Sequence, residues 1–139
     1  MSAQEQDFRE FMRLRERAAA AYVAGDGGPV DDLVTDTAPA SFFGPDGGTV
    51  TGGTEIRSAF RSGARMFAPG GESRLEVLDA GASGDVGYWC GIQHATARLA
   101  SDGSTFEMSL RITEIFRREE SAWKLVHRHA DPLRRVVTP

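Results

Sequence analysis

Hydrophobic positions follow two regimes along the chain: helical spacing up to about residue 68, then long runs rich in β-formers from about residue 72. Phe8, Phe11, Met12, Ala18, Ala19, Tyr22 and Val23 recur every three or four residues. Arg9, Arg13, Glu16 and Arg17 fall mostly between them, which predicts an amphipathic helix. Ser2 and Glu5 have the hydroxyl-to-carboxylate spacing of a capping box, and Gly25 with Gly27–Gly28–Pro29 stops the helix. Val30 to Thr35 makes at most a short second helix. Ala40 to Phe43, a turn at Gly44–Gly48, and Thr49 to Thr51 predict a small hairpin. Thr54 is placed to cap a third helix whose buried stripe is Ile56, Ala59, Phe60, Gly63 and Phe67, ended by Pro69–Gly70–Gly71. Four strands follow, Ser73–Ala80, Val86–Ala100, Thr105–Arg117 and Trp123–Ala130, with Asp102–Gly103 as a hairpin turn.

Segregated helices and strands signal an α+β domain, with three N-terminal helices covering one face of an antiparallel sheet. The 139 residues are one domain's worth of chain. The expected layout of the single domain 1–139 has helices over about 3–36 and 54–68, strands over about 38–51 and 72–131, and a tail at 132–139. At 40% hydrophobic and 26% charged residues the chain can bury a core without disulfides. The net charge of −4 is mixed in sign. Arg13, Arg15 and Arg17, Arg117 and Arg118, and Arg134 and Arg135 are each offset by nearby acids or sit at a chain end, so no nucleic-acid partner is expected. Cys90 lies in an apolar run and reads as a small buried hydrophobe. The polar N-terminus does not read as a signal peptide and no apolar run is long enough to span a membrane, so a cytoplasmic location is expected.

Candidate chemistry concentrates late in the chain. His127 and His129 are two apart and share one strand face, with Asp131 close enough to orient the second. They read as hydrogen-bonded structural histidines, as a general acid or base, or as a partial metal-ligand set; no metal is expected. Trp89, Gly91, Gln93 and Ala95 share one face of the long strand, and Tyr88, Cys90, Ile92 and His94 the other. Trp89 and Gln93 suit a pocket wall with one polar handle, to which Tyr22, Phe42, Phe60 and Met66 add walls from the helices and the small hairpin. The glycine-rich stretch from Gly44 to Gly53 has no lysine and reads as turns, not as a phosphate loop. No cofactor is expected.

Leu110-Arg-Ile-Thr-Glu-Ile-Phe-Arg-Arg118 followed by Trp123-Lys-Leu-Val-His-Arg-His-Ala-Asp131 resembles the closing hairpin of the SnoaL-like branch of the nuclear-transport-factor-2-like superfamily. It is also similar to the end of the association domain of calcium/calmodulin-dependent kinases. Phe42-Phe43-Gly44-Pro45 and Gly52-Gly53-Thr54-Glu55-Ile56 resemble that superfamily's small hairpin and its entry into the third helix. The superfamily includes ketosteroid isomerase, scytalone dehydratase and polyketide cyclases. The resemblance implies a cone-shaped domain with a pocket inside the sheet, and a homodimer formed through the sheet's outer face. It does not choose among enzymes, binding modules and assembly domains.

For the closing hairpin, a three-residue loop between Arg118 and Ala122 sets Arg117 opposite Trp123 and Arg111 opposite His129. One face then carries Arg111, Thr113, Ile115, Trp123, Leu125, His127 and His129, and the other Leu110, Ile112, Glu114, Phe116, Val126 and Arg128. A four-residue loop reverses the pairing. The resemblance favours the first set as the pocket face and the second as the dimer interface. Arg111 is then either paired with an internal carboxylate such as Asp131 or Glu107, or free to hold a carboxylate, enolate or carbonyl oxygen. On this reading Arg111, His129 and Asp131 are the catalytic residues, and Tyr22, Phe42, Phe60, Met66, Trp89, Gln93, Thr113 and His127 contact the ligand. The expected function is a small-molecule pocket protein. Its chemistry would be cofactor-independent isomerisation, cyclisation or dehydration by proton transfer on a partly apolar substrate with a carbonyl or oxyanion. The alternative is a non-catalytic dimeric ligand-binding or assembly domain. Phe42 and Phe43 stand where a steroid isomerase would want its base, which counts against that particular reaction.

Overall fold

A computed structural model describes residues 2–134. Helix α1 spans Ala3–Val23, and the Ser2 hydroxyl accepts the Glu5 backbone N–H at 3.1 Å, as the capping spacing requires. The chain leaves α1 through Gly25, whose φ of 98° only glycine adopts without strain. Helix α2, Gly28–Asp31, is a single turn. Strands β1 (Ser41–Phe43) and β2 (Thr49–Thr51) form the small hairpin, and α3 covers Gly53–Ala64. The long strands are β3 (Phe67–Ser83), β4 (Val86–Leu99), β5 (Thr105–Glu119) and β6 (Ala122–Pro132). Among the described residues no helix is long and apolar enough to cross a membrane.

The α+β architecture is the expected one, a six-stranded sheet in the order β2-β1-β6-β5-β4-β3. The sheet is open, ending at β2 on one side and β3 on the other. It is not wholly antiparallel, because β1 pairs with β6 in parallel, setting Phe42 beside Arg128 and Phe43 beside His129. Register shifts between Val77 and Asp79 and between Ile115 and Phe116 are bulges, which bend and twist the strands and curve the sheet around α1.

Several boundaries move. Gly52, with φ 90°, is the N-cap of α3, so Thr54 lies inside the helix and does not cap it. That helix stops before Phe67, which opens β3, and Pro69–Gly71 lie within the strand. Of the expected tail, Pro132 closes β6, and residues 135–139, including Arg135, lie outside the described residues.

The largest correction concerns the closing hairpin. Glu119 pairs with Ala122 and Arg118 with Trp123, which is tighter than either loop considered from the sequence. Glu120 takes up the turn with φ 56°. Phe116 then pairs with Leu125 but Ile115 with His127, so Val126 is an extra residue that flips the alternation of β6. Trp123, Leu125, Arg128 and Ala130 therefore face inward with Leu110, Ile112, Glu114 and Phe116, whereas Arg111, Thr113, Ile115, His127, His129 and Asp131 face outward. The apolar stripe assigned to a dimer interface is the core of the domain.

Candidate functional site

Helix α1 runs along the concave face of the sheet, and its buried side organises the interior into three zones. Near its start, Phe8 and Phe11 pack against Phe116 and Trp123, with ring centroids 4.8 to 5.8 Å apart. This aromatic plug seals one end. Two turns on, Arg15 reaches Glu114 on β5. Near the end of α1, Ala19 and Tyr22 wall a cavity of about 190 Å³ completed by Phe42, Pro45, Phe60, Met66, Phe67, Gln93, Met108, Leu110 and Arg128, among others.

The middle zone is a buried ionic cluster. Arg15 donates from Nε and Nη2 to the two Glu114 carboxylate oxygens at 2.9 and 3.0 Å. Trp89 Nε1 donates to Glu114 Oε1 at 2.7 Å and Arg128 Nη1 to Oε2 at 2.8 Å. Glu114 is fully buried, Arg15 is 3% exposed and Arg128 7%. Burial by itself would raise the Glu114 carboxyl. The Arg15 and Arg128 charges, together with the Arg15 and Trp89 hydrogen bonds, outweigh it and hold the group down at about 2. Glu114 is thus a fixed carboxylate and a poor proton acceptor near neutral pH.

Two arginines share one carboxylate, so the cluster carries one excess positive charge. Burial pushes Arg128 down, opposed by the Glu114 charge. A guanidinium nevertheless keeps its proton in proteins, so the excess charge stays. Among the described residues Arg15 Nη1 and Arg128 Nε are buried without an acceptor. Arg128 Nη2 also bonds no described residue, yet it is not among the sealed atoms. It belongs to a side chain that lines the cavity and stands over the Phe42 ring, with Cζ 5.7 Å from the centroid.

The rest of the wall is aromatic. Phe42 and Phe60 are stacked at 5.2 Å, and Tyr22 meets Phe60 edge-on at 6.0 Å. The Tyr22 hydroxyl makes no hydrogen bond to a described side chain, and its pKa is raised by burial against the opposing Arg128 charge. It is seated on Gly63, where an added Cβ would fall 1.9 Å from Oη. Gly63→Ala is therefore expected to destabilise the fold by about 1–3 kcal/mol, even after the helix preference of alanine over glycine, about 1 kcal/mol, is credited. Adding Tyr22→Phe is expected to restore most of the loss, which urea titration of the single and double variants measures. A Gly63→Ala variant as stable as the parent would unseat this description of the wall.

Of the residues singled out from sequence, Tyr22, Phe42, Phe60, Met66 and Gln93 surround the cavity, with Met66 60% exposed at its rim. Gln93 donates from Nε2 to Ser73 Oγ at 3.0 Å. Trp89 lies fully buried beneath the cavity and acts on it through Glu114. Arg111, Thr113, His127, His129 and Asp131 are brought together on the opposite, convex face. Arg111 makes a bidentate pair with Asp131 at 2.6 and 2.7 Å, which also holds the carboxylate down, and it is 62% exposed. His129 Nε2 is 3.7 Å from Asp131 and is half exposed. His127 Nδ1 contacts Ser41 Oγ at 2.7 Å, and Phe43 packs edge-on against both histidines. Partial burial and the neighbouring His129 lower the His127 pKa. None of this group reaches the cavity, so the expectation that they line it is overturned.

Sequence reasoning missed Arg15, Glu114 and Arg128. Arg15 stands at i+7, i+4 and i+3 from Phe8, Phe11 and Met12, within the apolar stripe of α1. Glu114 interrupts the apolar alternation of Leu110, Ile112 and Phe116. A charge inside a buried stripe is the signal that was available.

Two larger clefts, of about 630 and 640 Å³, flank α1, one against β3 and one against the β5–β6 turn. Their charged side chains, such as Arg9, Arg13 and Glu10, are solvated, so neither cleft concentrates an unpaired buried charge.

A model of the SnoaL-like domain family matches residues 12–133. No curated protein matches the chain. Among solved structures, a candidate dehydratase of the nuclear-transport-factor-2-like family from Streptomyces avermitilis superposes with a TM-score of 0.73 at 19% identity, covering 94% of this chain and 99% of the other. A nuclear-transport-factor-2-like superfamily protein from Salmonella enterica superposes at 0.74 with 17% identity, covering 95% and 92%. A candidate calcium/calmodulin-dependent kinase II association domain from Xanthomonas campestris superposes at 0.71 with 16% identity, covering 92% and 89%. At these identities the likeness is one of fold.

Proposed function

The chain belongs to the SnoaL-like domain family, and from that premise we propose that it is a small-molecule pocket protein whose cavity takes a partly apolar organic molecule through a carbonyl or negatively charged oxygen. The observation that carries this reading is the arithmetic of the buried cluster. Two guanidiniums and one carboxylate leave a positive charge beside an aromatic cavity, and among the described residues Arg15 Nη1 and Arg128 Nε are buried without an acceptor. An unpaired buried charge is costly, and a ligand oxygen would offset that cost.

The same wall favours binding over turnover. Glu114 is locked as a carboxylate, Tyr22 is shifted away from neutral pH, and the histidines point out of the domain. Isomerase, cyclase or dehydratase chemistry built on Arg111, His129 and Asp131 would need those groups in contact with the cavity. We also propose a homodimer through the convex face, because Phe43, Val86, Tyr88 and Ile115 are exposed there. Sedimentation velocity at micromolar concentration checks this, and a monomer would contradict it.

Backbone amide shifts followed by NMR during titration with acetophenone, a carbonyl probe, and benzoate, an anionic one, test the pocket. Shifts confined to Tyr22, Phe42, Gly63, Gln93 and their neighbours are expected. Silence at those positions with both probes would remove the proposal.

A further inference from the structure

Resting on the pocket reading above, the size, shape and charge of the cavity narrow its occupant, and we infer that it is a monocarboxylate with a single ring-sized apolar body, bound carboxylate-inward on Arg128 and Tyr22. The size sets the first limit. An apolar cavity of roughly 150 Å³ holds benzene. The 190 Å³ here therefore accommodate one ring and a carboxylate-sized substituent, and a fused polycyclic body would extend past the exposed Met66 rim.

Shape sets the second. The Phe42 and Phe60 rings are 19° from parallel, and Tyr22 stands at 85° to Phe60. Phe42 and Phe60 stack on each other and Tyr22 meets Phe60 edge-on, so a planar ring packs against the edges and faces this trio leaves uncovered.

Charge sets the third. A monoanion brings the cluster of Arg15, Glu114 and Arg128 to neutrality, whereas a neutral amide or ketone leaves the excess in place and a dianion reverses it. A charge-assisted bond from a guanidinium is about twice as strong as a neutral one. The Tyr22 hydroxyl, kept protonated by burial and engaged by no described side chain, is a second donor on the same wall. Gln93 gives one of its two amide N–H groups to Ser73, and the second sits beside its own carbonyl oxygen, so it is an adaptable polar neighbour and not a fixed anion site.

Isothermal titration calorimetry at pH 7 with benzoate, its neutral isostere benzamide, and toluene tests the inference. In the parent protein benzoate is expected to bind about tenfold or more tighter than benzamide. Arg128→Met leaves Arg15 and Glu114 as a balanced pair, and in that variant the benzoate preference is expected to vanish while toluene still binds. Tyr22→Phe keeps the fold whether or not Arg128→Met does, and it is expected to weaken benzoate several-fold more than toluene. Equal affinity for benzoate and benzamide in the parent, or an undiminished preference in Tyr22→Phe, overturns the carboxylate assignment while the pocket reading stands. Failure of all three probes to bind overturns the pocket reading itself.

Discussion

Glu114→Gln is expected to cost about 3–5 kcal/mol of stability, the loss typical when one member of a buried ion pair is removed and the other stays charged. Here two guanidiniums are left behind, Arg15 and Arg128, neither able to shed its proton. A domain of this size has roughly 5–15 kcal/mol in total, so the variant folds marginally if at all. Acid stability follows from the same group. The Glu114 carboxyl moves from 4.5 to about 2 on folding, so its contribution is present above pH 4.5 and is lost as the pH falls toward 2. A depression of that size corresponds to stability on the order of 3 kcal/mol. Urea unfolding of the parent between pH 6 and 2.5 is expected to show that decline. Glu114→Gln is expected to start lower and decline less, because the proton it would take up is already accounted for. Equal midpoints for the two proteins at pH 6 would mean that the cluster does not hold the interior together.

Gly91→Ala is expected to destabilise by about 3 kcal/mol or more, at the upper end of overpacking. Gly91 lies on the inner face of β4 where β3 bulges across it. An added Cβ would fall 2.0 Å from the Glu76 carbonyl oxygen and 3.1 Å from the Leu78 backbone nitrogen. Both are backbone atoms, so no rotamer change relieves the overlap, and the register shift between Val77 and Asp79 has to be rebuilt. Gly81→Ala is the comparison on the neighbouring strand. There the nearest atom is the Tyr88 ring, at 3.3 Å, and the change is expected to cost under about 1 kcal/mol. Thermal melts of the two variants check the ranking. Equal melting temperatures would show that the bulge carries no packing constraint.

Local structure was legible in the sequence wherever a single short-range rule decided it. Ser2 and Glu5 announced the start of α1, the glycines after Val23 its end, and Gly44–Gly48 the small hairpin. Thr54 misled because a glycine at the positive φ of Gly52 makes the cap with its backbone alone. The parallel pairing of β1 with β6 joins residues more than 80 positions apart, and no local pattern encodes it.

The site was legible in its walls and not in its charge. Tyr22, Phe42, Phe60, Met66 and Gln93 could be placed from helical spacing and strand alternation. Assigning Arg111 and His129 to the pocket required Trp123 and His127 to share a face, and the one-residue bulge at Val126 separates them. The apolar content of β5 pointed the other way, since Leu110, Ile112 and Phe116 alternate on one face against Ile115 alone on the other. Hydrophobic burial of three large side chains outweighs solvating an arginine and two histidines, which lose nothing by staying in water. Arg15, Glu114 and Arg128 are tolerated inside because they partner one another.

The central claim is that the cavity holds one uncompensated positive charge waiting for an anion. A crystal structure of the protein grown with benzoate tests it most directly. The expected result is a carboxylate oxygen within hydrogen-bond distance of Arg128 Nη2, with the ring against Phe42 and Phe60. Benzoate bound only in the cleft between α1 and β3, with the cavity empty beside an unmoved Arg128, would contradict it.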